Sequence, residues 1–169
     1  AEEWVGVGFR IGSENFVAPR DEVSWHAAAG GAFASLVPAC PDGDTVSRAA
    51  WEAGVRYFDV ARSYGRAERF LGEWLRDRDI APDDVTISSK WGYIYTADWE
   101  PDADQHAVIE HTLSNLEEQL VESQELLGKY LDLYQVHSAT FDSGLLDNHS
   151  VLGRLYALKE AGLPVGLTL

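Results

Sequence analysis

The sequence predicts an α/β fold in which short strands alternate with amphipathic helices to build a parallel sheet. Three observations predict it. From about residue 44 onward, β-branched or aromatic runs of strand length alternate with longer segments of helical spacing. The strand-like runs are bounded by Gly, Pro, Asp or Ser, the residues that turn a chain. Three of these runs also end in an ionisable residue at the same parity, which is how a sheet gathers chemistry at one edge.

Taken in order, residues 55–59, 85–90, 131–137 and 163–167 read as strands, with residues 4–8 as an earlier one. Between them, 45–53 reads as a helix stopped by Gly54, and 67–78 as a second with Leu71 and Leu75 four apart. The clearest helix is 106–127, where Ile109, Leu113, Leu116, Leu120 and Leu127 keep one apolar stripe before Gly128. A last helix over 150–161 turns Val151, Leu155 and Leu158 inward and ends at Gly162. Residues 11–43 read as an irregular excursion, with a helical patch around 21–36 that Gly30 and Gly31 interrupt. No repeat or linker divides the chain, so residues 1–169 are expected to form a single domain.

The chain has 169 residues and is 46% hydrophobic, enough to bury a core. Its charge is 13 basic minus 28 acidic residues, or −15, which repels phosphate backbones and anionic lipid. Nucleic acid and membranes are therefore not expected as partners. With no apolar run near the roughly 18 to 20 residues of a membrane span and no signal-peptide pattern at the N-terminus, a cytoplasmic location is expected. The single cysteine, Cys40, excludes an internal disulfide and reads as a small packing residue. No metal is expected; the acidic run 99–104 reads as a solvated loop.

Period-2 parity puts Val85 and Ile87 toward the helices and Thr86, Ser88 and Lys90 on the other side. By the same count Val55, Tyr57 and Asp59 share a side, as do Leu133, Gln135 and His137. Taken singly, Asp59 is well explained as a helix N-cap, Lys90 as a surface lysine and His137 as a core histidine. With Tyr64, five residues past Asp59, they form a set with a chemical purpose. Reducing a carbonyl needs a proton on oxygen as hydride reaches carbon. A free phenol with a pKa near 10 is a poor acid-base group at neutral pH until a cation stabilises its anion. Lys90 can supply that cation, Asp59 can hold the ammonium, and His137 can hydrogen-bond the substrate oxygen.

The run from Gly54 to Gly65, with Asp59, Ala61, Tyr64 and Gly65 in register, resembles the signature of the aldo-keto reductase family. Glu68, Leu71, Gly72 and Leu75 resemble the helix that follows it. Ser89-Lys90-Trp91-Gly92 resembles the third strand end, residues 131–137 the fourth strand, and residues 158–168 the passage into the fifth. The resemblance implies a (β/α)8 barrel of the TIM type, present here as a partial barrel of about five strands. It implies NADPH (NADP) as cofactor and a small-molecule carbonyl substrate. Carried over, Tyr64 is the general acid, Asp59 and Lys90 tune it, and His137 orients the carbonyl. The resemblance also implies that Asp59 lies near the nicotinamide ribose, with Gly8, Phe9 and Thr168 as further cofactor-side candidates.

Trp91, Tyr93, Tyr95 and Trp99, with Trp25, either line a substrate pocket or pack the loop; Arg62 either faces the site or is a solvated charge. Trp91, Arg62 and Tyr93 are the substrate-side candidates. A complete barrel needs about 250 residues. An open sheet also leaves unpaired strand edges. Either a longer chain carries the C-terminal half, or a second copy or partner supplies it. Three functions follow: a carbonyl reductase, a regulatory barrel subunit completed by a partner, or a cofactor-independent lyase or epimerase that uses the same tyrosine and lysine.

Overall fold

The computed structural model describes residues 5–9, 23–28, 31–36, 43–96 and 107–168. Cys40, Gly30 and the acidic run 99–104 lie outside the described residues, as do the side chains of Trp25 and Tyr95. The first elements are β1 (Val5–Phe9), β2 (Val23–Ala28), β3 (Gly31–Leu36) and α1 (Gly43–Glu52). After them come β4 (Tyr57–Asp59), α2 (Ala67–Asp77), β5 (Thr86–Trp91), β6 (Tyr93–Tyr95) and β7 (Ala107–Ile109). The chain continues with α3 (Leu113–Leu127), β8 (Leu131–Val136), α4 (His149–Glu160) and β9 (Val165–Leu167).

Seven strands form one sheet in the order β2-β3-β1-β4-β5-β8-β9, and β6 pairs with β7 apart from it. Strands β4, β5, β8 and β9 run parallel, each reached through a helix or a helix-containing connection, which is the βα arrangement expected. Their strand ends agree with the sequence reading to within two residues. Three expectations need correction. The helical patch at 21–36 is instead the strand pair β2 and β3, with Ala28 opposite Gly31; its alanines suggest a helix, but a Gly-rich break between two six-residue runs suits a hairpin. The long helix starts at Leu113, because Thr112 accepts a hydrogen bond from Asn115 N at 3.3 Å and caps it. Residues 107–109 pair instead with 93–95, so Ile109 belongs to a strand and is exposed.

The third correction concerns β1. It pairs antiparallel with β4, Gly8 opposite Asp59 and Phe9 opposite Phe58. It therefore does not continue the parallel series.

The helices lie against one face of the parallel strands. Phe58, Leu71, Leu75, Ile87 and Leu127 are fully buried in a cluster under α2. Trp91, Leu116, Tyr134, Val136, Leu145 and Val151 fill a second cluster between β8 and helices α3 and α4. Truncating Leu71 or Leu75 to alanine would remove about 2–5 kcal/mol. Gly72 is where α2 meets α3: a Cβ there would stand 2.2 Å from the Leu126 carbonyl oxygen.

Strand β5 is polar on both faces. Ser88 and Lys90 point toward Asp59. Ser89 points the other way and donates to Glu68 at 2.6 Å. Glu68, 1% exposed, also accepts from Ser123 at 2.6 Å and from Arg62 at 2.5 Å, so α2, α3 and β5 meet at one carboxylate. Between β5 and β8 the register shifts, Ile87 facing Leu131 but Ser88 facing Leu133. The skipped residue, Asp132, accepts from Ile87 N at 2.8 Å with its carboxylate. Leu131 packs with the core while Gln135, beyond the bulge, faces Asp59.

Candidate active site

The C-terminal ends of β4, β5 and β8 bring Asp59, Lys90 and His137 together, with Tyr64 delivered by the loop after β4. Local backbone bonds fix this loop: Arg62 N donates to Lys90 O at 2.9 Å and Tyr64 N to Ala61 O at 3.0 Å. Asp59 Oδ2 pairs with the Lys90 ammonium, and Asp59 Oδ1 accepts from Ser88 Oγ and, at 3.2 Å, from Gln135 Nε2. Tyr57 completes this floor by donating to Ser88 Oγ at 2.9 Å. Lys90 also donates to Val60 O at 3.1 Å and lies over the Tyr64 ring, 5.0 Å from its centre. Tyr64 and Tyr93 each meet His137 edge-on, at 5.6 Å and 4.9 Å between ring centres.

Electrostatics follow from this burial. The Tyr64 hydroxyl is pushed well above the usual phenol range, by desolvation first and then by Asp59 and Tyr93. That corrects the expectation of a tyrosine tuned downward: the Lys90 ammonium is paired with Asp59 and lies over the ring, so its pull does not offset the burial. Lys90 itself is lowered, chiefly by burial, with Asp59 opposing. His137 is lowered to about 4, by burial and then by Lys90 and His111. At neutral pH the site thus holds a protonated phenol and an uncharged imidazole.

Of the substrate-side candidates, Tyr93 stands at the site, its hydroxyl donating to Ser138 Oγ at 3.0 Å. Trp91 does not: it is 1% exposed, inside the cluster under α3 and α4, because alternation turns it away from Lys90. Arg62 does not either, since its guanidinium bridges Glu68 and Glu122 at 2.5 Å each. Among the cofactor-side candidates, Gly8 is level with Asp59 but Phe9 lies one step below it, a consequence of the antiparallel course of β1. Thr168 lies beside β8, its hydroxyl donating to Val136 O at 3.2 Å and accepting from Ser138 N at 3.3 Å.

Sequence reasoning missed a polar row on α3. Asn115, Gln119 and Ser123, four residues apart, are all buried. Gln119 accepts from Gly92 N at 3.0 Å and donates to Tyr93 O at 2.8 Å, gripping the chain just past Lys90. His111 joins them, 2.9 Å from the His137 carbonyl. The i, i+4, i+8 spacing of these polar residues beside the leucine stripe was the available signal.

Parallel βα units that gather a lysine–carboxylate pair, a tyrosine and a histidine at their strand ends place these groups where (β/α)8 barrels carry their active sites. The model of the Aldo/keto reductase family matches residues 42–163, and the chain belongs to that family. Pyridoxal 4-dehydrogenase of Microbacterium luteolum is 41% identical over 69 residues, 40% of this chain and 19% of that protein. A solved structure assigned as an aldo-keto reductase of Pseudomonas aeruginosa is similar at 28% identity and a TM-score of 0.59. The similarity covers 74% of this chain and 47% of that one. An aldo/keto reductase structure from Brucella melitensis, at 22% identity and a TM-score of 0.51, covers 73% and 43% and speaks for the fold. The chain thus spans under half the length of these solved relatives. Proteins of the family use nicotinamide cofactors. Among the described residues, no three His, Cys, Asp or Glu side chains gather as a metal site, and no helix is long and apolar enough to cross a membrane.

Proposed function

We propose that this chain carries the carbonyl-reducing site of an NADPH-dependent aldo-keto reductase, with Tyr64 as the general acid. The observation that carries the reading is the Asp59-paired Lys90 over the Tyr64 ring, beside an uncharged His137. The donor set suits a nicotinamide riboside: Asp59 and Gln135 offer acceptor and amide groups to ribose hydroxyls, and Gly8 leaves the neighbouring strand without a side chain at that level. When bound, the cofactor supplies hydride to the carbonyl carbon. Tyr64 delivers its proton to the carbonyl oxygen as the alkoxide develops. Its raised pKa keeps that proton in place beforehand, and the nearby Lys90 then stabilises the phenolate that forms. His137 donates a hydrogen bond to the same oxygen and orients it, while Tyr93 walls the site.

The test is turnover of a panel of aldehydes with NADPH and NADH by the whole chain and its Tyr64→Phe variant. Pyridoxal belongs at the head of the panel because of the similarity to a pyridoxal 4-dehydrogenase. Cofactor oxidation that depends on Tyr64 supports the reading; turnover unchanged in Tyr64→Phe ends it.

A further inference from the structure

His137 has one ring proton, and the carbonyl chemistry depends on where it sits. An uncharged imidazole donates from one nitrogen and accepts at the other. The ring and its backbone are already held. Tyr64 and Tyr93 meet the ring edge-on. His137 N donates to Trp91 O at 2.8 Å, and the His111 ring sits 2.9 Å from the His137 carbonyl. Only the tautomer remains to be set. The Nδ1 atom stands 3.3 Å from the Ser63 hydroxyl.

We infer that Ser63 is a positioning residue that sets the tautomer of His137: its hydroxyl donates to Nδ1 and so leaves the ring proton on Nε2. The opposite arrangement, Nδ1–H donating to Ser63 Oγ, would aim an Nε2 lone pair at a substrate oxygen, and two acceptors repel. The inference rests on the reading of His137 as the donor to the carbonyl oxygen. The loop that carries Ser63 is pinned on both sides by the backbone bonds of Arg62 and Tyr64, which keeps the hydroxyl in place.

Long-range proton–nitrogen NMR correlation on the whole chain labelled with 15N-histidine reads the tautomer directly. The His137 signals are identified by their loss in His137→Gln. The expected wild-type pattern has Nδ1 in the unprotonated range and Nε2 in the protonated range. Ser63→Ala should move both toward averaged values, and Ser63→Thr should restore the wild-type pattern. Reduction by Ser63→Ala should fall through kcat by about five- to tenfold, the size of one neutral hydrogen bond, with Ser63→Thr recovering it. A protonated Nδ1 in the wild type, or an unchanged pattern in Ser63→Ala, overturns the inference. The expected patterns without any carbonyl turnover uphold it and overturn the reductase reading, whereas turnover with an unchanged pattern does the reverse.

Discussion

Single side chains at the strand ends make the sharpest predictions. Replacing Tyr64 with phenylalanine removes the proton donor and should lower reductive turnover by about 10²–10⁴-fold, read as kcat/KM against the wild type. The depressed His137 pKa gives a second. Its folded value, about 4, lies below the ordinary histidine value of 6.5, so the unfolded chain binds this proton more readily than the folded one. The resulting stability is present above about pH 6.5 and drains away as pH falls toward 4. Urea denaturation across that window should show a steeper loss in the wild type than in His137→Gln; parallel curves would contradict the pKa assignment. Much of the site was legible in the sequence, because Asp59, Lys90 and His137 each end a strand at inward parity. Trp91 and Arg62 were misread because a residue's place in a signature does not say which face it takes. Trp91 follows Lys90 and therefore points away from it, and Arg62 is claimed by two carboxylates, Glu68 on the next helix and Glu122 sixty residues on.

Between elements, the decisive contacts are the close approach of α2 to α3 and the carboxylate they share with β5. Gly72→Ala places a methyl within 2.2 Å of backbone that cannot yield easily, and about 1–3 kcal/mol of destabilisation should appear as a lowered denaturation midpoint. Glu68→Ala leaves Arg62 with only the half-exposed Glu122 and strands two buried hydroxyls; a loss of about 3–5 kcal/mol by chemical denaturation is expected. The parallel strands and their helices were readable from apolar spacing. The hairpin of β2 and β3 was not, because alanines and two glycines fit weakly to either period. The start of α3 was hidden by coincidence, since Ile109 and Leu113 sit four apart although one is in a strand and the other in a helix. The polar row of α3 was hidden by its own chemistry: buried Asn115, Gln119 and Ser123 look like a solvated face until their partners at Glu110, at Gly92 and Tyr93, and at Glu68 on α2 are known.

For the molecule as a whole, a net charge of −15 makes compaction cost electrostatic work. Raising salt from about 0.01 to 0.15 M shortens the screening length from about 30 to 8 Å and should raise Tm, by about 2–4 °C for each kcal/mol of repulsion removed. A Tm that falls with added salt would mean that attractive pairs such as Lys90–Asp59 outweigh the surplus of acids. The two-faced polarity of β5 bears on how one arrangement of the chain is chosen over its neighbours. Were β5 to slide by a single residue, Lys90 would enter the apolar cluster among Leu116, Tyr134 and Val136, while Glu68 and Asp59 would each lose a partner. A misaligned sheet would thus strand charge on both of its sides at once. The pairing that assembles the candidate catalytic groups is also the one that the buried carboxylate on the far side enforces.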